Sequence, residues 1–298
     1  MHELYKNCTL CPKKCGVDRS KQLGACQASD QVKVARCALH YFEEPSLSAT
    51  NGSGTIFFSG CSLKCCYCQN QEISLQNYGK EITIEHLADL MLDLQAKNAH
   101  NINLVTPTHY VPSIIEAIKL ARKKGLSLPI VYNTSGYETI ETLKLLEGYV
   151  DIYLTDFKYF DNHLGTTLSK CSHYFEVASR ALAEMYRQTG PNTFDQNGIM
   201  QKGIIVRCLV LPTKGEDIKK IISYLYQTYQ DNIYLSIMNQ YTPVVKNQQF
   251  SFLNQTVSTN EYESIIDYAI SLGVKNAYIQ EEGTAKESFI PAFDLEGV

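Results

Sequence analysis

Beyond residue 50 the chain alternates short apolar runs with amphipathic stretches at helical spacing. Runs at residues 55–60, 101–106, 129–134, 151–158, 203–210, 232–238 and 276–280 predict strands. They are dense in Ile, Val, Leu, Phe and Tyr, as strands covered on both faces require. Between them, Ile84, Leu87, Ala88, Met91 and Leu94 fall on one helical face. The same spacing relates Ile114, Ile115 and Ile118, then Ile218, Ile221, Ile222 and Leu225, then Tyr262, Ile265, Ile266 and Ala269. Thr83 and Thr259 are the expected N-caps, with Glu85 and Glu261 in the first turns. Repeated strand–helix–strand units imply a parallel sheet with right-handed crossovers, as a barrel-like α/β fold or an open doubly wound sheet. No Gly-x-Gly-x-x-Gly follows the first run, which argues against a dinucleotide-binding fold. In a barrel, the chemistry belongs at the C-terminal ends of the strands.

Residues 1–50 differ. They are rich in Cys, Lys and Arg, and no sustained helical or strand periodicity is expected there. Such a segment buries little apolar surface alone and needs a metal staple or docking on the main domain. Asn51-Gly52-Ser53-Gly54 marks the turn at which regular alternation begins. The expected division is a Cys-rich metal-binding extension over 1–50 and the α/β domain over 51–298.

Charge narrows the partners. A net charge of −4 and a pI near 6.0 give no drive toward nucleic acid. No apolar run approaches a membrane span, and the first residues lack a signal-peptide pattern, so a cytoplasmic protein is expected. Of 11 cysteines, nine precede residue 70. In a chain this long without a secretion signal, clustered thiols point to metal rather than to disulfides.

The first strand runs directly into Gly60-Cys61-Ser62-Leu63-Lys64-Cys65-Cys66-Tyr67-Cys68. Cys61, Cys65 and Cys68 have Cys-x3-Cys-x2-Cys spacing. Three thiolates in one loop can hold three irons of a [4Fe–4S] cluster and leave the fourth open, which separates a catalytic from a structural centre. Cys66 is out of register. A zinc loop is the alternative, but zinc sites usually pair two Cys-x2-Cys units for four ligands.

This spacing after a strand resembles the radical S-adenosylmethionine (SAM) superfamily. Tyr67 matches its usual aromatic before the last cysteine. Residues 52–61, 101–110, 131–137 and 151–158 are similar to signatures of the branch related to the pyruvate formate-lyase activating enzyme. The resemblance implies a partial (β/α)6 TIM-like barrel that binds a [4Fe–4S] cluster and SAM. It implies reductive cleavage to a 5′-deoxyadenosyl radical that abstracts hydrogen from substrate. Where activating enzymes carry Gly-Gly-Glu, this chain has Thr106-Pro107-Thr108-His109, so Thr106 and Thr108 are the expected oxygen acceptors. Asn133 and Ser135 stand where the family contacts ribose or carboxylate. Asp156 and Lys158 match its Asp-x-Lys, and Arg207 a fifth-strand arginine near the cofactor. His109 is a candidate acid–base residue, the alternative being a hydrogen-bonded structural histidine. Tyr153, Tyr159 and Tyr241 read as core.

Cys8, Cys11, Cys15 and Cys26 supply a complete ligand set for a second centre, with Pro12, Gly16 and Gly24 to wrap the backbone. An auxiliary iron–sulfur cluster and a zinc site need the same four thiolates. Cys37 is a spare thiol, and Cys171 and Cys208 read as buried apolar residues. The resemblance implies a flavodoxin- or ferredoxin-like reductant and a glycyl-radical enzyme as protein substrate. A radical SAM enzyme acting on a small molecule is the alternative within the class. An iron–sulfur electron carrier and a zinc-stapled binding module are the alternatives outside it.

Overall fold

The computed structural model describes residues 3–244, 246–280 and 291–298. The chain opens with α1 (Glu3–Lys6), β1 (Val32–His40), α2 (Pro45–Ser48), β2 (Ser53–Phe58), α3 (Gln71–Ser74) and β3 (Lys80–Ile82). Then follow α4 (Ile84–Ala96), β4 (Ile102–Val105), α5 (Val111–Lys123), β5 (Ile130–Thr134), α6 (Ile140–Leu145) and β6 (Ile152–Asp156). The remainder is α7 (Asn162–Ser169), α8 (Tyr174–Thr189), β7 (Thr193–Phe194), β8 (Met200–Leu209), α9 (Gly215–Tyr229), β9 (Tyr234–Met238), α10 (Thr259–Leu272) and β10 (Ala277–Ile279).

Strand order decides between the two expected architectures. β2, β4, β5, β6, β8, β9 and β10 lie side by side in chain order, and every neighbouring pair is parallel. A doubly wound sheet would reverse its order at a switch point. This one does not, and among the described residues it ends at β10 and β3 without closing. The fold is therefore a mostly parallel open barrel of βα units, six of them from β2 to β9 with the short β10 added.

Alternation sorts the side chains. Ile56, Leu104, Tyr132, Tyr153, Ile204 and Ile237 pack in the large core with the helices. On the other face Val131, Ile152, Leu154 and Ile205 cluster around Leu47 of α2. The turn of α2 therefore fills the concave side, and the site sits above this plug. The long helices follow the expected periodicity. Thr83 caps α4 by accepting from the His86 amide at 3.1 Å. The cap of α10 is Ser258 rather than Thr259, accepting from the Glu261 amide. Thr259 is already helical there, one residue into the turn.

The expectation that residues 1–50 lack strand periodicity is corrected. β1 pairs antiparallel with both β2 and β3. Its alternation is broken by a register shift between Val34 and Arg36, which hides the period of two. The cysteine-rich residues before it dock on the barrel. Tyr5 shares a 2.9 Å hydrogen bond with Ser113, and the Thr142 hydroxyl donates to the Leu10 carbonyl at 2.7 Å.

Candidate functional site

The loops after the parallel strands meet over a cavity of about 260 Å³. β2 delivers the first of them. Gly60 has φ +89°, and a Cβ there would lie 2.8 Å from the Cys26 carbonyl oxygen, so only glycine makes this turn. The loop is then strapped to the end of α7. The Lys64 amide donates to the Ser169 carbonyl at 3.0 Å and the Cys66 amide to the Leu168 carbonyl at 2.8 Å.

The loop brings Cys61, Cys65 and Cys68 to the cavity wall together with Tyr67. Each sulfur has its own hydrogen-bonding neighbour. The Leu63 amide donates to Cys61 at 3.4 Å, the Ser169 hydroxyl to Cys65 at 2.9 Å, and the Ser74 hydroxyl lies 3.3 Å from Cys68. Burial pushes the Cys61 thiol up to about 12 and Cys65 up to about 11, reinforced by the neighbouring thiols. Cys61 and Cys65 thus keep their protons until a cation displaces them, so metal binding and deprotonation go together. Cys66 lies instead in a separate small recess with Val244 and Asn247.

In the same cavity, the Lys158 ammonium donates to Asp156 at 2.5 Å, and both line the cavity. Burial disfavours the Lys158 charge, but Asp156 and the nearby acidic groups more than offset this and hold it protonated. Thr106, Asn133 and Ser135 also line the cavity. Thr106 adopts φ +59°, a strained conformation for a β-branched residue, with its amide donating to the Asn133 carbonyl at 2.9 Å. Gly136 has φ +75° and abuts the Asp156 carbonyl, so the turn after β5 also needs glycine.

Arg207 is the register partner of Asp156 and reaches the same cavity. It is already paired. Its Nε and Nη2 donate to Glu44 at 2.8 and 2.7 Å, and Nη2 also bonds Glu43. Burial would raise the Glu44 carboxyl, yet the Arg207 charge and hydrogen bonds bring it below the ordinary carboxylate range.

Two expected site residues do not reach the cavity. Thr108 is buried and donates to Glu138 at 2.6 Å. His109 is 1% exposed and bonds the Ser59 carbonyl through Nε2 at 2.8 Å. Burial, and then Arg19, push His109 down to about 3, so its ring is neutral. Both follow the turn after β4, which directs them into the protein behind the cysteine loop.

Of the second cysteine group, Cys8, Cys11 and Cys26 are buried and Cys15 is half-buried. Gly16 at φ +68° closes a tight turn, its amide donating to the Cys8 carbonyl at 3.0 Å. Cys37 stands apart on β1, and Cys171 and Cys208 are fully buried. Among the described residues, no three Cys, His, Asp or Glu side chains converge as ligands of a single ion. Thiolates of a cubic cluster bind different irons and need no such common point.

The model of the Radical SAM superfamily matches residues 55–225, more than half of the chain. The chain belongs to the radical SAM superfamily. An uncharacterized protein of Methanocaldococcus jannaschii is 30% identical over 89% of this chain and 75% of its own length. The pyruvate formate-lyase-activating enzyme of Clostridium pasteurianum is 29% identical over 39% of this chain and 51% of its own length. Among solved structures, the [FeFe]-hydrogenase maturase HydG aligns with a TM-score of 0.50 at 16% identity, over 77% of this chain and 52% of HydG. Streptococcus suis SuiB aligns with a TM-score of 0.50 at 12% identity, over 75% of this chain and 47% of SuiB. The chain spans about half the length of these solved structures, and at such identities they share its fold.

Radical SAM membership makes the chain an enzyme and implies a [4Fe–4S] cluster and SAM. The residues fit that group. Three cavity-lining thiols, each with a hydrogen-bonding neighbour, and the Lys158 ammonium lining the same cavity suit an anionic cluster and a carboxylate ligand. Sequence reasoning missed Ser74, Ser169, Glu43, Glu44 and Glu138. The only signal for these was the adjacent Glu43-Glu44 pair, shortly after β1.

Proposed function

We propose that this radical SAM enzyme cleaves SAM reductively and uses the resulting radical to abstract hydrogen from a substrate. The observation that carries the reading is that Cys61, Cys65 and Cys68 and the Asp156–Lys158 pair line one cavity. When bound, the cluster supplies the electron that breaks the carbon–sulfur bond. The chain's own residues do the rest. The three thiolates hold the cluster, and Leu63, Ser74 and Ser169 orient and neutralise them. Lys158, kept charged by Asp156, receives the methionine carboxylate, while Thr106, Asn133 and Ser135 offer acceptors and donors along the strand ends. Tyr67, tied to the Tyr159 hydroxyl at 2.5 Å, closes the wall over the loop.

The substrate we propose is a glycyl segment of a partner protein, by analogy with the activating enzyme that matches over part of the chain. The reductant is a flavodoxin- or ferredoxin-like protein, and the thiol-rich composition fits a cytoplasmic site of action. Among the described residues, no helix is long and apolar enough to cross a membrane. A small-molecule substrate is the second reading, favoured by the polar lining that Glu43 and Arg207, the latter held by the buried Glu44, give the cavity. Cys8, Cys11, Cys15 and Cys26 are proposed to hold a second centre, iron–sulfur or zinc.

The test is anaerobic reconstitution followed by dithionite and SAM, assayed for 5′-deoxyadenosine. Product is expected from the native chain and not from a Cys61→Ala, Cys65→Ala, Cys68→Ala variant. A fully loaded native chain that neither forms product nor binds SAM contradicts the reading.

A further inference from the structure

Arg19 is 1% exposed and is among the largest fully buried side chains. Its Nε donates to the Ala28 carbonyl at 3.2 Å, and Nη1 and Nη2 donate to the carbonyls of His109 and Ser29. The guanidinium lies over the Tyr5 ring at 4.6 Å and the Tyr110 ring at 5.5 Å. None of the ion pairs among the described residues includes it.

Carbonyls satisfy the hydrogen bonds of a guanidinium and leave its charge uncompensated. A guanidinium does not deprotonate in a protein, and a buried charge without a counter-charge is costly. The ionisable groups facing Arg19 include Cys26, Cys8, Cys15, Tyr5, Tyr110 and the neutral His109 ring. Burial pushes both tyrosine hydroxyls up, which keeps them neutral. The thiols remain, with Cys8 Sγ 4.0 Å from Nη1. Thiolates on a metal are anionic outright, and a cluster held by four of them carries net negative charge.

The same arginine reaches the catalytic loop. His109, whose carbonyl Arg19 holds, bonds the Ser59 carbonyl through its ring at 2.8 Å, two residues before Cys61. The Cys61 amide in turn donates to the Cys26 carbonyl at 3.1 Å. One ligand of each proposed centre is thus joined to the other by a backbone hydrogen bond.

We propose that Arg19 is the internal counter-cation of a metal–thiolate centre at Cys8, Cys11, Cys15 and Cys26, and that loading this centre orders the loop carrying Cys61. The inference rests on the reading that these four thiols hold a metal. Arg19 acts here as a positioning residue, because it touches neither substrate nor the reacting cofactor.

The test uses the full chain with Cys61→Ala, Cys65→Ala and Cys68→Ala, so that only the second centre takes up metal. It is loaded anaerobically with Zn²⁺ alone or with Fe²⁺ and sulfide, and metal per chain is followed during titration with a chelator. Adding Cys8→Ala, Cys11→Ala, Cys15→Ala and Cys26→Ala should abolish loading; undiminished metal there overturns the underlying reading. With metal present in the parent, Arg19→Gln should lose it at a chelator concentration at least tenfold lower, and Arg19→Lys should fall between. Equal retention by parent and Arg19→Gln overturns the counter-cation role alone. Should Arg19→Gln fail to fold, hydrogen exchange at the position 61 amide, with Arg19 intact, decides the coupling. Exchange about tenfold slower with metal than without is expected, and equal rates overturn it.

Discussion

The Ser169 hydroxyl donates to Cys65 Sγ at 2.9 Å across 104 residues of sequence. Ser169 ends α7, and its own carbonyl receives the Lys64 amide, so one residue both straps the cysteine loop and solvates the Cys65 sulfur. The Tyr159 hydroxyl meets the same Ser169 oxygen at 2.5 Å and joins it to Tyr67. A hydrogen bond to a ligand sulfur stabilises the more negative, reduced state of a cluster.

Ser169→Ala is therefore expected to lower the reduction potential of the catalytic cluster. The loss should be on the order of 60 mV, the one-electron equivalent of about 1.4 kcal/mol for a hydrogen bond to a charged acceptor. An anaerobic redox titration followed by absorbance checks it, with iron content per chain held equal to that of the native chain.

Lys158→Met removes the buried ammonium while leaving Asp156 in place. SAM affinity, measured by equilibrium dialysis, should weaken by at least about tenfold, the value of a charge-assisted hydrogen bond. Asp156→Asn should weaken binding less, because the ammonium that receives the carboxylate is still present.

Arg207→Met leaves Glu43 and Glu44 buried without their cation. Such a change is expected to destabilise the fold by about 3–5 kcal/mol. Denaturant unfolding checks this, and Glu44→Gln in the same chain should restore part of the loss by removing one carboxylate charge.

Glu138 gives a pH signature. Burial raises its carboxyl from 4.5 to about 7, against hydrogen bonds from Thr108, Thr134 and Tyr132 that favour ionisation. The folded chain then holds a proton that the unfolded chain releases first. Its contribution to stability is complete below about pH 4.5 and is lost as pH rises toward 7, on the order of 3 kcal/mol in all. Glu138→Gln should flatten the fall in unfolding free energy between pH 4.5 and 7.

The fold was largely legible because its signal is local. All seven expected runs coincide with strands of the parallel sheet; those from β2 to β9 are largely buried on both faces, and only the edge strand β10 is half-exposed. β1 escaped because a register shift breaks its alternation and its neighbours are cysteines and charges. The cysteine loop stood out for the same local reason, as three thiols within eight residues, and the structure brings all three to one cavity wall. Ser169, Glu44 and Arg19 were not, because their roles arise from contacts across many residues or between elements, and nothing near them in sequence marks the partner. Thr108 and His109 show the converse. They neighbour Thr106 in sequence, yet the strained turn there sends only Thr106 to the cavity.

The central claim is that the three cysteines leave one coordination position for SAM. Electron paramagnetic resonance of the dithionite-reduced, cluster-loaded chain tests it most directly, with and without SAM. The account predicts a spectrum that changes when SAM is added, and no such signal once Cys61, Cys65 and Cys68 are all replaced by alanine. A fully loaded cluster whose spectrum is identical with and without saturating SAM would contradict it.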